Sequence, residues 1–339
     1  MTPSSHRNDR RGFVLIAVLL VVVLLAVVLL EFNYETRMSV HLSDNCYRSQ
    51  QALYAAEAGL NLAMAAIGQG DGIRPRAGVE RFLSGAVQIR VGDDACCTVS
   101  VEAENGKINV HALKSPEGQL DRRRIDQLLR LIDLLNGQYA GRAPIGYGIV
   151  PAIIDWTDAN DDVTHLPFVQ AENEGAENAY YEQLASPRRC KNAPLDSIRE
   201  LLLVRGVTPE IFDGTPGGDA QPRIEGLGRF VTIYGDGKID INAAPALVIR
   251  SLCEKIDAAA AQAVIDSRPF ASLDELARVA GIAAEALPAL GELVTVKPDD
   301  PCYRISARGA VGDFGREIVA VVRKNRQTGA VAVLLREEP

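Results

Sequence analysis

The side chains best suited to chemistry in this sequence are acidic. Asp155, Asp158, Asn160, Asp161 and Asp162 fall within eight residues, Glu172, Glu174 and Glu177 follow, and no Lys or Arg occurs between Arg142 and Arg188. Carboxylates gathered without cations repel one another unless an ion intervenes. Hard oxygen donors on a flexible loop suit calcium. Asp158, Asn160 and Asp162 have the one-three-five spacing of an EF-hand loop, but Val163 stands where the sharp-turn Gly belongs and Val169 where the bidentate Glu belongs. The rival reading is a solvated acidic loop with no metal. Trp156, between two of the carboxylates, is expected to pack inward while Asp155 and Asp158 share the other helix face. Catalysis finds little support. His6, His41, His111 and His165 are scattered, and no Gly-x-Ser-x-Gly, His-Glu-x-x-His or phosphate loop occurs. His165 is expected at the surface, since imidazole is a poor ligand for calcium.

A second constellation pairs Ile241-Asn242-Ala243-Ala244-Pro245 with Ser267-Arg268-Pro269-Phe270-Ala271-Ser272-Leu273-Asp274-Glu275-Leu276. It looks like a helix-hairpin-helix module, whose DNA-binding members present the backbone amides of a Gly-rich turn to a phosphate. Here Leu252-Cys253-Glu254-Lys255-Ile256 replaces that turn, and Glu254 and Asp257 would repel phosphate. A protein-contacting or structural role is therefore expected, and nucleic acid is not an expected partner. The formal net charge of −8 agrees, because an acidic chain is a poor binder of phosphate backbones.

The elements that must position these residues begin with Arg7 to Leu30. Arg7, Arg10, Arg11 and Gly12 precede a run from Phe13 to Leu30 without a polar side chain. As a helix the run spans roughly 27 Å, close to the hydrocarbon thickness of a bilayer. It ends at Glu31-Phe32-Asn33-Tyr34 rather than at a small-residue signal cleavage site. The basic leader is expected to stay cytoplasmic, which places the rest of the chain outside, in an oxidising compartment. Disulfides are open there, but the six cysteines show no Cys-x-x-Cys spacing, and a structural zinc site is not expected. Adjacent Cys96 and Cys97 would face opposite ways on a strand.

From Glu31 to Ile67 the pattern stays helical and becomes amphipathic through Leu53, Ala56, Leu60, Ala63 and Met64, until Gly68, Gly70 and Gly72 stop it. One continuous rod from Phe13 to Ile67 would be roughly 80 Å long; an anchor joined flexibly to a head is the alternative. Period-two alternation then reads as antiparallel strands at Val87-Ile89-Val91, Val99-Val101-Ala103 and, beyond Asn105-Gly106, Ile108-Val110. Ile125, Leu128, Leu129, Ile132 and Leu135 line a helical face before Gly137. More helices are expected near 148–158, 177–184 and 195–204, a strand at 229–234, and helices at 246–252, 257–266 and 273–279. Strands centred on Ile305, Ala320 and Val331-Val333 close the chain.

Two resemblances sharpen this reading. A basic leader ending in Gly12, followed by Phe13 and the apolar run, resembles the type IV prepilin signal. That likeness implies cleavage after Gly12 by a prepilin peptidase and N-methylation of Phe13. Most such proteins carry Glu five residues into the mature chain. Ala17 stands here instead, as in K-type minor pseudopilins, and lack of that carboxylate suits a tip position. Removal of the leader, with its three Arg and one Asp, takes the net charge to −10. The ordered set Asp155-Trp156-Thr157-Asp158-Ala159-Asn160-Asp161, Gly175-Ala176-Glu177-Asn178-Ala179-Tyr180-Tyr181, Asn192-Ala193-Pro194-Leu195-Asp196-Ser197-Ile198-Arg199-Glu200-Leu201 and Tyr234-Gly235-Asp236-Gly237-Lys238-Ile239-Asp240-Ile241-Asn242-Ala243-Ala244-Pro245 resembles the general secretion pathway protein K family of type II secretion.

That resemblance implies an α+β fold, with a long N-terminal helix on an antiparallel sheet, a large inserted helical domain and a helix-hairpin-helix or SAM-like unit. The implied order is leader 1–12, membrane part of the helix 13–33, amphipathic helix and first strands 34–114, SAM-like calcium-binding insert 115–225, strand and second SAM-like unit 226–297, and closing strands 298–339. It further implies calcium held by residues drawn from Asp155, Asp158, Asn160, Asp161, Asp162, Glu174 and Glu177. The implied partners are the I- and J-type minor pseudopilins, the major pseudopilin, the prepilin peptidase and the inner-membrane assembly platform. The implied location is a single-pass inner-membrane protein with a periplasmic head, without enzymatic activity, extracted into the pseudopilus as it assembles. A minor pilin of a type IV pilus and a membrane-anchored DNA receptor are the alternatives.

Overall fold

In the computed structural model, residues 9–69, 81–83, 85–92, 94–115, 118–138, 144–217, 223–279, 282 and 287–338 are described. Residues 1–8 of the expected leader and the helix stops expected at Gly70 and Gly72 lie outside them. Helix α1, Asp9–Gln69, is one uninterrupted element of 61 residues, about 90 Å at helical rise. The rod is therefore continuous, and the flexible junction is excluded. Its first half is bare: Phe13 to Leu30 exposes every large apolar side chain. Its second half buries Ala52, Ala56, Leu60, Ala63 and Ile67, spaced at three or four residues, against a sheet. Lys324, itself buried, donates from Nζ to the Ile67 carbonyl at 2.8 Å, satisfying a helix end that lacks an intrahelical partner.

That sheet has five antiparallel strands in the order β1 (Val87–Val91), β2 (Ala95–Ala103), β9 (Cys302–Val311), β10 (Phe314–Lys324) and β11 (Val331–Glu337). Cys97, Val99 and Val101 of β2, Ile305 and Ala307 of β9, and Ile318, Ala320 and Val322 of β10 form the face under α1. Glycine sets the approach distance. A Cβ on Gly309 would collide with the Ala52 carbonyl, and one on Gly59 with the Cys97 sulfur. All six cysteines carry free thiols; Cys97 is buried and its neighbour Cys96 half-exposed, as alternation requires.

Strands β2 and β9 pair with Ala103 opposite Tyr303, so the 104–301 stretch leaves and re-enters the sheet at one neck. Two expectations fail there. Asn105-Gly106 forms a short 3-10 turn, Glu104–Gly106, instead of a hairpin. Its Asn105 side chain spans the neck, accepting from the Cys302 amide at 2.6 Å and donating to the Asp300 carbonyl at 3.1 Å, while Gly106 lies against the Ala243 backbone. Ile108–Asn109, β3, consequently leaves the main sheet and pairs in parallel with β6, Val231–Thr232, and Val110 opens a second 3-10 turn. The strand expected over 229–234 shrinks to β6 because Leu227–Arg229 coils into a 3-10 turn.

The insert is mainly helical. It contains α2 (Arg122–Asn136), α3 (Ile149–Thr157), α4 (Asn178–Tyr181), α5 (Pro209–Asp213), α6 (Ala246–Leu252), α7 (Ala258–Asp266), α8 (Leu273–Leu276) and α9 (Leu287–Leu293). Asp121 caps α2 by accepting from the Arg124 amide, and Ile125, Leu128, Leu131, Ile132 and Leu135 form its buried stripe, with α6 packed alongside. Two-residue pairings tie the loops together: β4 (Gly214–Thr215) with β5 (Ile224–Glu225), and β7 (Ile239–Asp240) with β8 (Val294–Thr295). Residues from Ile108 to Val294 contribute to one core, so the segments 115–225 and 226–297 are packed as a single body. Asn242, from the second constellation, is a clamp within it. Its side chain accepts from the Phe270 amide and donates to the Phe270 and Val296 carbonyls.

Candidate functional site

The acidic residues are organised by α3. Its sequence Ile149-Val150-Pro151-Ala152-Ile153-Ile154 is apolar throughout, and the helix is buried on all sides. Trp156 packs inward as expected, edge-on to Tyr181 with centroids 5.0 Å apart. Asp155 does not face outward, which corrects the two-faced helix expected from spacing: it is 0 % exposed because α3 has no solvent face. Its Oδ1 accepts from the Thr164 amide at 2.8 Å, and its Oδ2 has no hydrogen-bond partner. Gly175 is the residue that permits this placement, since a Cβ there would collide with that same Oδ2.

At the end of α3 the chain turns through stacked Asx hydrogen bonds, with the Asn160 amide on Asp158 Oδ1 and the Asp162 amide on Asn160 Oδ1. Asp158 Oδ2 accepts from Lys114 Nζ at 2.6 Å. Asp161 Oδ1 accepts from the Asn178 side chain at 2.8 Å, and Asn178 Oδ1 in turn accepts from the Cys190 amide at 2.9 Å. The Asn192 side chain donates to the Asn160 carbonyl at 2.7 Å. Glu177, at the start of α4, is 2 % exposed, and neither of its carboxylate oxygens accepts from an N–H or O–H donor, with only the Cys190 thiol beside it. Burial first, then the charges of Asp155, Asp158 and Asp161, push its carboxyl up to about 8. Burial also raises Asp155.

The fold thus buries Asp155 and Glu177, with the half-buried Asp158 and the exposed Asp161 near enough for their charges to act on Glu177. Asp162 lies on the exposed rim, and Glu174 is exposed with its carbonyl accepting from the Arg205 guanidinium. His165 is exposed beside Asn173. Among the described residues no three or more His, Cys, Asp and Glu side chains could hold a metal by themselves. The three uncommitted oxygens of Asp155 and Glu177 nevertheless fit a hard cation, whose shell backbone carbonyls and Asn oxygens would have to complete. Sequence reading missed Lys114, Thr164 and the Asn178 and Asn192 bridges. Of these only Asn178, adjacent to Glu177, carried a local signal.

The other feature with functional weight is the bare stem. Among the described residues one helix, Phe13–Gln69, is long and apolar enough to cross a membrane, and its most apolar window has no buried residue. It fits a single-pass anchor. A helix with one apolar half bare and the other laid on an antiparallel sheet defines a pilin-like subunit, here carrying a helical insert at the neck. Residues 106–214 and 239–297 each match a family model described as type II secretion system, protein K. The chain belongs to that family, the minor pseudopilins of type II secretion. No curated protein sequence matches it. In the solved GspK-GspI-GspJ complex from the enterotoxigenic Escherichia coli type 2 secretion system, one chain shares the fold at a TM-score of 0.65 and 18 % identity, over 88 % of this chain and 99 % of that one.

Proposed function

We propose that the chain is stored in the inner membrane with its head in the periplasm, is cut after Gly12 by a prepilin peptidase, and then caps a pseudopilus. The observation that carries this reading is α1 itself, a rigid rod whose bare apolar half is joined without a break to a well-packed head. Such a stem is stable in lipid or against the stems of sister subunits. Burial of apolar surface is worth about 25 cal/mol per Å² against water, but the stem leaves lipid rather than water, so close packing against sister stems decides the exchange. Ala17 lacks the carboxylate that would neutralise the amino terminus of a subunit ahead of it. That favours the tip, where the chain would join the I- and J-type minor pseudopilins and nucleate assembly. The major pseudopilin and the assembly platform would then lengthen the fibre that exports folded proteins across the outer membrane. Its role is structural rather than enzymatic.

The acidic centre belongs to the same reading. Asp155 and Glu177 would hold calcium, with the Asp158 carboxylate free to join them once released from Lys114 and Asp161 supplying charge nearby. The ion would supply neutralisation there, binding together the end of α3, the turn after it and the start of α4.

Co-purification tests the assembly. The full-length chain, co-expressed with the I- and J-type minor pseudopilins and extracted in detergent, is expected to elute as a complex containing both and to begin at Phe13 by mass. Elution as an uncleaved monomer, in the presence of the peptidase and both partners, overturns the proposal.

A further inference from the structure

Lys114 follows the 3-10 turn Val110–Leu113 and lies forty-four positions from the acidic run it touches. Its ammonium is 2.6 Å from Asp158 Oδ2, with the two side chains 23 % and 8 % exposed. The other oxygen of Asp158 is held by the Asn160 amide, so this carboxylate is committed within the protein, unlike those of Asp155 and Glu177. A charge pair so shielded from water is screened little by salt. Lys114 also lines a cleft of about 950 Å³ that is bordered by Asp158, Asn160, Asp121 and Asp236. The ammonium therefore has open space to move into, and Asp236, exposed on the same cleft, is an alternative counter-charge there.

We propose that Lys114 is a built-in counter-ion that competes with a divalent cation for Asp158, so that its ammonium sets the affinity of the acidic centre and swings into the cleft when the ion enters. This rests on the reading of Asp155 and Glu177 as cation ligands. The physical ground is charge balance. Asp155 and Glu177 are two buried carboxylates, Asp158 adds a third negative charge that acts on both, and the ammonium offsets that third charge in the absence of an ion. An entering dication repels the ammonium at close range and takes over the Asp158 oxygen. Removing the ammonium removes its competitor. The length and flexibility of a lysine stem let the charge leave without disturbing the backbone.

Calorimetric titration of calcium into the chelator-treated full chain in detergent tests this with wild type, Lys114→Met and Lys114→Arg. The methionine variant is expected to bind roughly tenfold tighter or more, as loss of a directly competing charge requires, while the arginine variant stays near wild type. Equal or weaker binding by a folded Lys114→Met chain overturns the counter-ion role while leaving the cation site intact. Absence of calcium binding by every chain overturns the cation reading as well. A second measurement needs no variant. Acetylation of the Lys114 amine, mapped by mass spectrometry in the wild-type chain, is expected to rise severalfold when calcium is added, and unchanged labelling at a calcium concentration that saturates the titration overturns the swing.

Discussion

At the scale of single residues, burial rather than sequence proximity separates the acidic side chains. Asp161 and Asp162 stand beside Asp158 in sequence, yet the buried carboxylates with uncommitted oxygens are Asp155 and Glu177, twenty-two positions apart. Spacing identified the acidic run. It could not reveal that α3 has no solvent side, because that depends on what surrounds the helix, nor that Lys114 would reach Asp158 from another segment. The uncommitted oxygens carry a first expectation. Glu177→Gln removes one carboxylate from the centre while keeping its shape. Calcium at about a hundred times its dissociation constant stabilises a folded wild-type protein by ~2.7 kcal/mol, visible as a melting shift of several degrees. The glutamine variant is expected to lose most of that shift. An undiminished shift would move the ion elsewhere.

At the scale of elements, contact between stem and sheet is controlled by the glycines that lack a Cβ. Gly309→Val would drive a side chain into the α1 backbone at Ala52 and Ala56, where nothing can rotate aside. The expected loss is ~1–3 kcal/mol, the usual cost of overpacking, together with reaction of the buried Cys97 thiol with a maleimide. Gly291→Ala, at a position where a Cβ meets nothing within 4 Å, serves as the control and should leave both readouts unchanged. The same stem carries the proposed processing site. Gly12→Ala is expected to leave the leader attached, read as an uncleaved mass in cells that hold the peptidase; normal cleavage would refute the leader assignment. The elements were legible where one periodicity dominates, as in α1, α2 and the closing strands. They were misread at the neck, where Asn105-Gly106 has the composition of a hairpin turn. There the Asn105 side chain bonds across to Cys302 and Asp300, and long-range contacts override the local preference.

At the scale of the whole molecule, sheet and insert are joined by a further buried carboxylate whose electrostatics run opposite to those of Glu177. Glu104, 1 % exposed at the exit from β2, accepts from Lys107 Nζ and Arg304 Nε, each at 2.8 Å, and from the Thr232 hydroxyl at 2.6 Å. Burial alone would raise its carboxyl, but the two cations and the hydrogen bonds outweigh that and hold it below the ordinary range. The signs then follow from linkage. Glu104 stabilises the fold above its unfolded pKa, and that stabilisation is lost as pH falls through the lower folded value. Glu177 shifts from 4.5 to about 8. It binds its proton more tightly in the folded chain and lowers stability as pH rises between those values. Ion-free protein should therefore melt highest in mildly acidic buffer and lose stability on both sides. Calcium favours the ionised form of Glu177 and should flatten the alkaline limb while leaving the acid limb in place. Glu104→Gln should do the reverse, weakening the acid limb and lowering stability near neutrality by ~3–5 kcal/mol, the usual cost of stranding buried charges. Melting curves of the full chain in chelator and in calcium, from about pH 4 to about pH 8.5, check both. An alkaline limb that persists unchanged in calcium and in Glu177→Gln would mean that its source lies outside the acidic centre.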